Sequence, residues 1–236
     1  MQMIFTFWEG KMPDYIRMCL ETWKLPYTML NYDNLREYTD YDIEGAKRFT
    51  LPQIADAVRV HVLRDHGGYW LDADTIMIGD ELPEETIMGN PIIRLNTIGF
   101  LHAEKPHENM FEEWATYQDK VIADLSYDCR WDVLGNRYTD CYLFEHREVP
   151  IANVSNRWAE TYMIPECTRL YSYQKFYFND KYHLSDLRET DMLMLHNSWT
   201  PDWYKKLTSE QVLESKCTMS NVLREVLGNV VDADKA

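Results

Sequence analysis

The sequence predicts an α/β fold whose sheet is mostly parallel and flanked by helices. Three observations point there. Residues 3–30 run as apolar strand, amphipathic helix, strand, and parallel neighbours need such a crossover. Residues 53–66 carry a second strong helical pattern, closed by Gly67-Gly68 and followed at once by the aromatic run Tyr69-Trp70-Leu71. Further short apolar runs return at 92–95, 98–101 and 191–195.

The elements follow in order. Met3 to Trp8 is a first strand, ended by the turn Glu9-Gly10. Pro13 to Lys24 reads as a helix with Ile16, Leu20 and Trp23 on one face and Pro13 at its start. Tyr27 to Leu30 is a second strand. Residues 33–50 are polar and tyrosine-rich, which suits loop and short helices. Pro52 opens the helix Gln53–His66, with Ile54, Val58, Val62 and Leu63 on a common face, and Gly67 is a natural left-handed stop. Tyr69–Leu71 is the next strand, and Thr75–Ile78 is expected to continue it up to Gly79-Asp80. Asn109–Ala123 is helical. Residues 126–165 show no clean period, with a strand expected near Tyr142-Leu143-Phe144. Residues 191–195 form a strand leading into His196-Asn197-Ser198-Trp199. Ser209–Leu227 reads as one helix capped by Ser209 and stopped by Gly228. The simplest organisation is one domain over 1–208 with a helical tail over 209–236.

Composition excludes several classes. The chain has 236 residues with 45% hydrophobic, so a sizeable core is within reach and disorder is not expected. Lys plus Arg number 24 against 39 Asp plus Glu, a net charge of −15. That balance argues against nucleic acid, whose phosphates need a basic footprint, and suits a protein that holds a divalent cation. The five cysteines are odd in number and form no C-x-x-C pair, so neither a disulfide framework nor a zinc site is expected. No signal peptide pattern and no run of about 18 apolar residues is present. The expectation is a soluble cytoplasmic protein.

Asp72 and Asp74 stand at the end of the strand 69–71. Aspartate is a poor strand residue, and alternation places both carboxylates on one side while strand geometry holds. Hard oxygen ligands of this kind suit Mg²⁺ or Mn²⁺ beside substrate phosphates. In the preceding helix, Asp56 and Arg59 share a face at i, i+3. They read either as an exposed ion pair or as a charged pair that holds the hydroxyls of a sugar.

The stretch "ADAVRVHVLRDHGGYWLDAD", residues 55–74, resembles the signature of the D-x-D sugar transferases of glycosyltransferase family 32 and their capsular-polysaccharide relatives. The pattern is a helix with D-x-x-R followed by G-G-x-Y/W-L-D-x-D. Asp56, Arg59, Gly67, Gly68, Asp72 and Asp74 fill it, with Tyr69 between. The opening "IFTFWEGKMPDYIRMCLETWK" is similar to that family's first strand, I-x-x-x-W-x-G, and its following helix. The likeness covers residues 3–125 and returns at "HNSWTPDW", residues 196–203, which resembles the family's C-terminal metal and diphosphate segment with a shorter spacing. The resemblance implies a GT-A-type fold, a UDP-sugar donor (UDP-glucose or UDP-galactose) and Mn²⁺ or Mg²⁺. It implies that Trp8 stacks on the uracil, that Asn31 lies near the nucleoside, and that Asp56 and Arg59 hold the donor sugar. Asp72 would touch ribose and sugar, and Asp74 would ligate the metal with Asp72 and His196. Whether His196 or Asn197 faces the ion stays open. Ser198 and Trp199 would close over the diphosphate, and Asn96 would contact donor or acceptor. Asp56, Arg59 and Asp72 are the expected catalytic set. Retention at the anomeric carbon is implied, with a glycan or lipid-linked oligosaccharide acceptor in bacterial capsule or exopolysaccharide synthesis. Such an acceptor would bring the chain to the inner face of the membrane.

Two rival readings remain at this point. "YWLDADT" also resembles the D-x-D-x-T opening of haloacid-dehalogenase-like phosphatases, with Asp72 as nucleophile. Against it, about 70 residues precede the motif, no distal acidic motif follows, and the Asp56/Arg59 helix has no role. The other rival is a catalytically idle scaffold. Val212, Leu213, Val222, Leu223, Val226 and Leu227 form an apolar stripe that serves either the core or a second copy of the chain.

Overall fold

A computed structural model describes residues 3–41, 44–90, 95–153, 159–160, 169–187 and 190–233. The fold is mixed α/β. Along the chain run β1 (Ile4–Phe7), α1 (Asp14–Glu21), β2 (Tyr27–Leu30), α2 (Leu51–His66), β3 (Gly68–Leu71) and β4 (Thr75–Met77). Next come β5 (Ile87–Asn90), β6 (Leu95–Ala103), α3 (Asn109–Ala123), α4 (Asn136–Glu145) and β7 (Ile151–Asn153). β8 (Ala159–Glu160), α5 (Leu170–Gln174), β9 (Met192–Met194), α6 (Asp202–Lys205), α7 (Ser209–Glu214) and α8 (Thr218–Ala233) complete it. The chain divides into two compact units, each assembled from three segments.

The first unit comprises residues 1–9, 26–72 and 83–153. Its sheet has the order β2-β1-β3-β6-β5-β7. β1 pairs in parallel with β2 and β3, and β5 with β7; the β3–β6 and β5–β6 pairs are antiparallel. The strands at 92–95 and 98–101 expected as two fall differently: 98–101 lies inside the nine-residue β6, and 92–94 lie outside the described residues. The end of α2 explains why β3 begins where it does. Thr50 N donates to Gln53 Oε1 at 3.0 Å, a capping interaction that starts the helix, and Pro52 sits in its first turn. The expected stripe of Ile54, Val58, Val62 and Leu63 is buried. Ala57, Val60 and His61 are buried too, because α3 covers a further face of the helix. Gly67 closes α2 at φ 65°, its N–H reaching Leu63 O at 2.8 Å.

The region near Tyr142 is helical, not extended. In α4 Thr139 and Leu143, four apart, are buried, whereas Phe144 is exposed. That is helical periodicity, hidden in the sequence by the aromatic, strand-favouring residue types.

The second unit comprises residues 10–25, 73–82 and 154–236. Its three-stranded sheet has the order β4-β9-β8. β4 therefore does not continue β3. A turn at Ala73-Asp74 breaks the strand, and Thr75–Met77 pairs antiparallel with Met192–Met194. α1 is anchored to β4 by two side chains: Trp23 Nε1 donates to Thr75 O at 2.8 Å, and Met77 N donates to Thr22 Oγ1 at 2.8 Å. Residues 209–233 belong to this unit as two helices, not one. Thr208 is the cap of α7: its Oγ1 accepts from Gln211 N, and Gln211 Oε1 accepts from Thr208 N at 3.0 Å. Thr208 to Gln211 has the i, i+3 spacing that the reciprocal bonds require, which displaces Ser209 from the cap. Gly228 lies inside α8, where the burial of Val222, Leu223 and Val226 outweighs a cost of about 1 kcal/mol for one helical glycine. Among the described residues no helix is long and apolar enough to cross a membrane.

Candidate active site

In the first unit, three of the expected residues meet at the carboxyl end of β3. Arg59 projects from the middle of α2 and is only 4% exposed. Its Nη2 lies 3.1 Å from Asp56 Oδ1 and 3.1 Å from Asp72 Oδ1. The rest of the guanidinium is also taken up by protein: Nε donates to Ala55 O at 3.3 Å and Nη1 to Ile98 O. The Asp56–Arg59 pair is thus buried, unlike the exposed pair that spacing alone allowed. Its capacity is to neutralise and aim two carboxylates. Removing Arg59 from such a buried cluster costs about 3–5 kcal/mol, since the carboxylates are left uncompensated.

Asp56 feels its surroundings most strongly. Its side chain is 15% exposed. Burial raises its carboxyl to about 7; the charge of Asp72 adds to the rise and Arg59 opposes it. Gly135, at the N-terminus of α4, sits directly over this carboxyl, so a Cβ there would lie 2.7 Å from Asp56 Oδ2.

Sequence reasoning missed Trp70. Its indole Nε1 donates to Asp72 Oδ1 at 2.8 Å, and the Arg59 guanidinium carbon lies 5.2 Å from its ring centroid. A signal was present: residues two apart on a strand share a side. An aromatic run on a strand reads first as core, and that reading hides the polar edge of the indole.

Trp8 and Asn31 follow β1 and β2, which lie beside β3 in the order β2-β1-β3, the parallel part of the sheet. Carboxyl ends of parallel strands are where α/β sheets bind ligands. Trp8 is half-buried, with its Nε1 shielded and without a partner among the described residues. Asn31 shapes the turn after β2, its Oδ1 accepting from Asp33 N at 2.9 Å and Asn34 N at 3.1 Å. Asn96 stands apart from these: it is buried in β6, and its Nδ2 donates to Thr139 Oγ1 at 2.8 Å.

In the second unit, Asp74 is 9% exposed and tied to the segment after β9. Its Oδ2 accepts from Asn197 N at 2.7 Å, and its backbone O accepts from Leu195 N at 3.2 Å. Tyr15 of α1 donates its hydroxyl to Asn197 Oδ1 at 2.5 Å. No sequence signal could have joined Tyr15 to Asn197 across 182 positions. Burial, then the negative charge of Asp74, pushes both the Tyr15 phenol and the Cys19 thiol up, so both stay protonated donors. His196 is half-buried. Burial lowers its imidazole to about 4, which keeps it neutral and able to offer a lone pair at physiological pH. Its ring lies 4.4 Å from that of Trp199, which in turn meets Tyr173 edge-on at 5.7 Å. Ser198 is exposed.

The donor set suits a hard divalent ion. Asp74 offers a carboxylate, Asn197 an amide oxygen, His196 a neutral imidazole. Among the described residues no group of three or more His, Cys, Asp or Glu converges for a metal, so substrate phosphates and water would have to complete the shell.

The model of the family described as capsular polysaccharide synthesis protein matches residues 1–164, more than half of the chain. The chain belongs to that family. The match takes in all of the first unit and the Asp72-x-Asp74 motif, and it sides with the capsule-type sugar-transferase reading over the phosphatase one. It ends before His196. No curated protein matches the chain. Among solved structures, the chain is similar to the apo form of the glycosyltransferase GlyE from Streptococcus pneumoniae TIGR4, at 11% identity and a TM-score of 0.45. That alignment covers 99% of this chain and 64% of GlyE, so the chain spans less than two thirds of that protein's length. It is also similar to the PaToxG glycosyltransferase, at 10% identity and a TM-score of 0.45, over 97% of this chain and 86% of that one.

Proposed function

We propose that this chain is a metal-dependent, retaining glycosyltransferase. It moves a hexose from a UDP-sugar, UDP-glucose or UDP-galactose, to a hydroxyl of a glycan or lipid-linked oligosaccharide in capsule or exopolysaccharide synthesis. One observation carries the reading: Arg59 gathers Asp56 and Asp72 at the carboxyl end of β3, inside the segment that the capsular family model matches. The α/β sheet with the D-x-D motif leaving β3 is the arrangement expected of a GT-A-type fold.

Asp74 would hold Mn²⁺ or Mg²⁺, with His196 or Asn197 beside it and substrate phosphates and water filling the rest of the shell. When bound, the ion neutralises the diphosphate of the leaving UDP. The protein's own groups do the rest. Trp8 stacks on the uracil, and Asn31 contacts the nucleoside. Asp56 and Asp72, aimed by Arg59, accept hydrogen bonds from sugar hydroxyls. Ser198 and Trp199 cover the phosphates. The acceptor hydroxyl attacks the anomeric carbon on the face from which UDP departs and gives its proton to the departing phosphate oxygen. The new C–O bond replaces the old one, and the anomeric configuration is kept.

The test is to incubate the chain with Mn²⁺ and UDP-sugars, plus GDP-mannose, and to measure nucleotide released by slow hydrolysis. Release from one UDP-hexose, abolished by EDTA, restored by added Mn²⁺ and lost in Asp74→Asn, is the expected result. Release from no donor, with no heat of UDP binding, overturns the reading.

A further inference from the structure

The cluster at Asp72 is one-sided. Both donors that reach its carboxylate, Trp70 Nε1 at 2.8 Å and Arg59 Nη2 at 3.1 Å, end on the same oxygen, Oδ1. The second oxygen, Oδ2, has no hydrogen-bond or ion-pair partner among the described residues. The donors themselves are fixed. Trp70 is 1% exposed within β3, and Arg59 is held by Ala55, Ile98 and Asp56 as well as Asp72. The Asp72 side chain, by contrast, is 35% exposed. Its backbone N–H is tied to Gly99 O at 2.9 Å, so the main chain is anchored too.

A carboxylate on a strand end normally rotates between rotamers, and that freedom is lost when a ligand binds. Two buried donors on one oxygen remove it in advance. Tryptophan is well matched to this role, since its ring fills the core and its only polar atom is a donor. From this geometry we infer that Trp70 is a positioning residue of the donor site. Together with Arg59 it pins Asp72 Oδ1, so that Oδ2 is presented as a single pre-oriented acceptor for a hydroxyl of the nucleotide sugar. The inference rests on the glycosyltransferase reading and deepens it. It assigns Asp72 a binding role.

The experiment uses the full chain with Mn²⁺ and compares wild type, Trp70→Phe and Asp72→Asn. Calorimetry with UDP and with the active UDP-hexose is combined with steady-state kinetics, melting temperature and the indole N–H resonance of Trp70. Trp70→Phe keeps the ring in the core and removes the N–H. The expected result is a fold that still melts cooperatively, a KM raised about tenfold and a kcat changed less than about twofold. Weakening of UDP and UDP-hexose alike identifies a ribose hydroxyl as the partner of Oδ2. Weakening of UDP-hexose alone identifies a hexose hydroxyl. In Asp72→Asn the amide oxygen takes the place of Oδ1, so the hydrogen-bonded indole resonance persists while a donor replaces the outward acceptor and affinity falls. A merely structural role would instead lower melting temperature along with affinity in Trp70→Phe and reduce kcat as well as raise KM. If wild type binds donor and Trp70→Phe binds it with unchanged KM, the inference is overturned and the functional reading stands. If wild type binds no UDP and hydrolyses no donor, both fall.

Discussion

Replacing Asp56 by asparagine should flatten the dependence of stability on pH. Burial holds the Asp56 carboxyl at about 7, against 3.8 for an ordinary aspartate. That difference corresponds to about 4 kcal/mol between the protonated and ionised forms. The sign follows from linkage. A carboxyl raised in the folded state keeps its proton longer than in the unfolded chain. Its contribution is fully present below about pH 4 and is lost as pH rises through about 7. Between pH 5 and pH 8 the wild type should therefore lose roughly 3 kcal/mol through this one group. Asparagine has nearly the same shape as the protonated acid and does not titrate. The two proteins should be close in stability below about pH 4, and the variant should be favoured by roughly 2 kcal/mol at pH 5 and roughly 4 kcal/mol at pH 8, which at pH 8 is roughly 8–16 °C in melting temperature for a chain of this length. The assay is thermal and urea unfolding followed by circular dichroism at pH 5, 6, 7 and 8 at constant ionic strength. A difference between the two proteins that stays constant with pH would refute the reasoning. It would mean that the Arg59 charge holds Asp56 ionised throughout.

Two further substitutions test the scaffold. Gly68 sits at φ +87°, and a Cβ there would lie 2.4 Å from the backbone oxygen of Met3, so Gly68→Ala should destabilise the chain by about 3 kcal/mol or more, read as melting temperature and folded yield; an alanine variant as stable as wild type would contradict the pairing of β3 with β1. Thr208→Ala removes the cap of α7 and should cost about 1 kcal/mol in urea unfolding, whereas Ser209→Ala, measured the same way, should leave that cap intact.

Local order was legible in the residues alone. The strands at 4–7, 27–30 and 69–71 and the helix over 53–66 follow from periodicity, proline and glycine placement, and short-range capping, which depend on neighbours a few residues away. Asp56 and Arg59 could be placed on one helical face for the same reason, at i, i+3, and Asp72 at a strand end, whereas Asp74 falls in the turn that breaks the strand. Contacts between distant segments settled the rest. Thr75–Met77 leaves the first sheet because its partner, Met192–Met194, lies more than a hundred residues on. The helix at 136–145 looked like strand because its residue types favour extended backbone, and packing of Thr139 and Leu143 overrode them. Tyr15 reaches Asn197, and Trp70 shares one oxygen of Asp72 with Arg59, through contacts that no spacing encodes. The protonation of Asp56 was likewise undecided until its burial was known, since desolvation is a property of the surroundings and not of the residue.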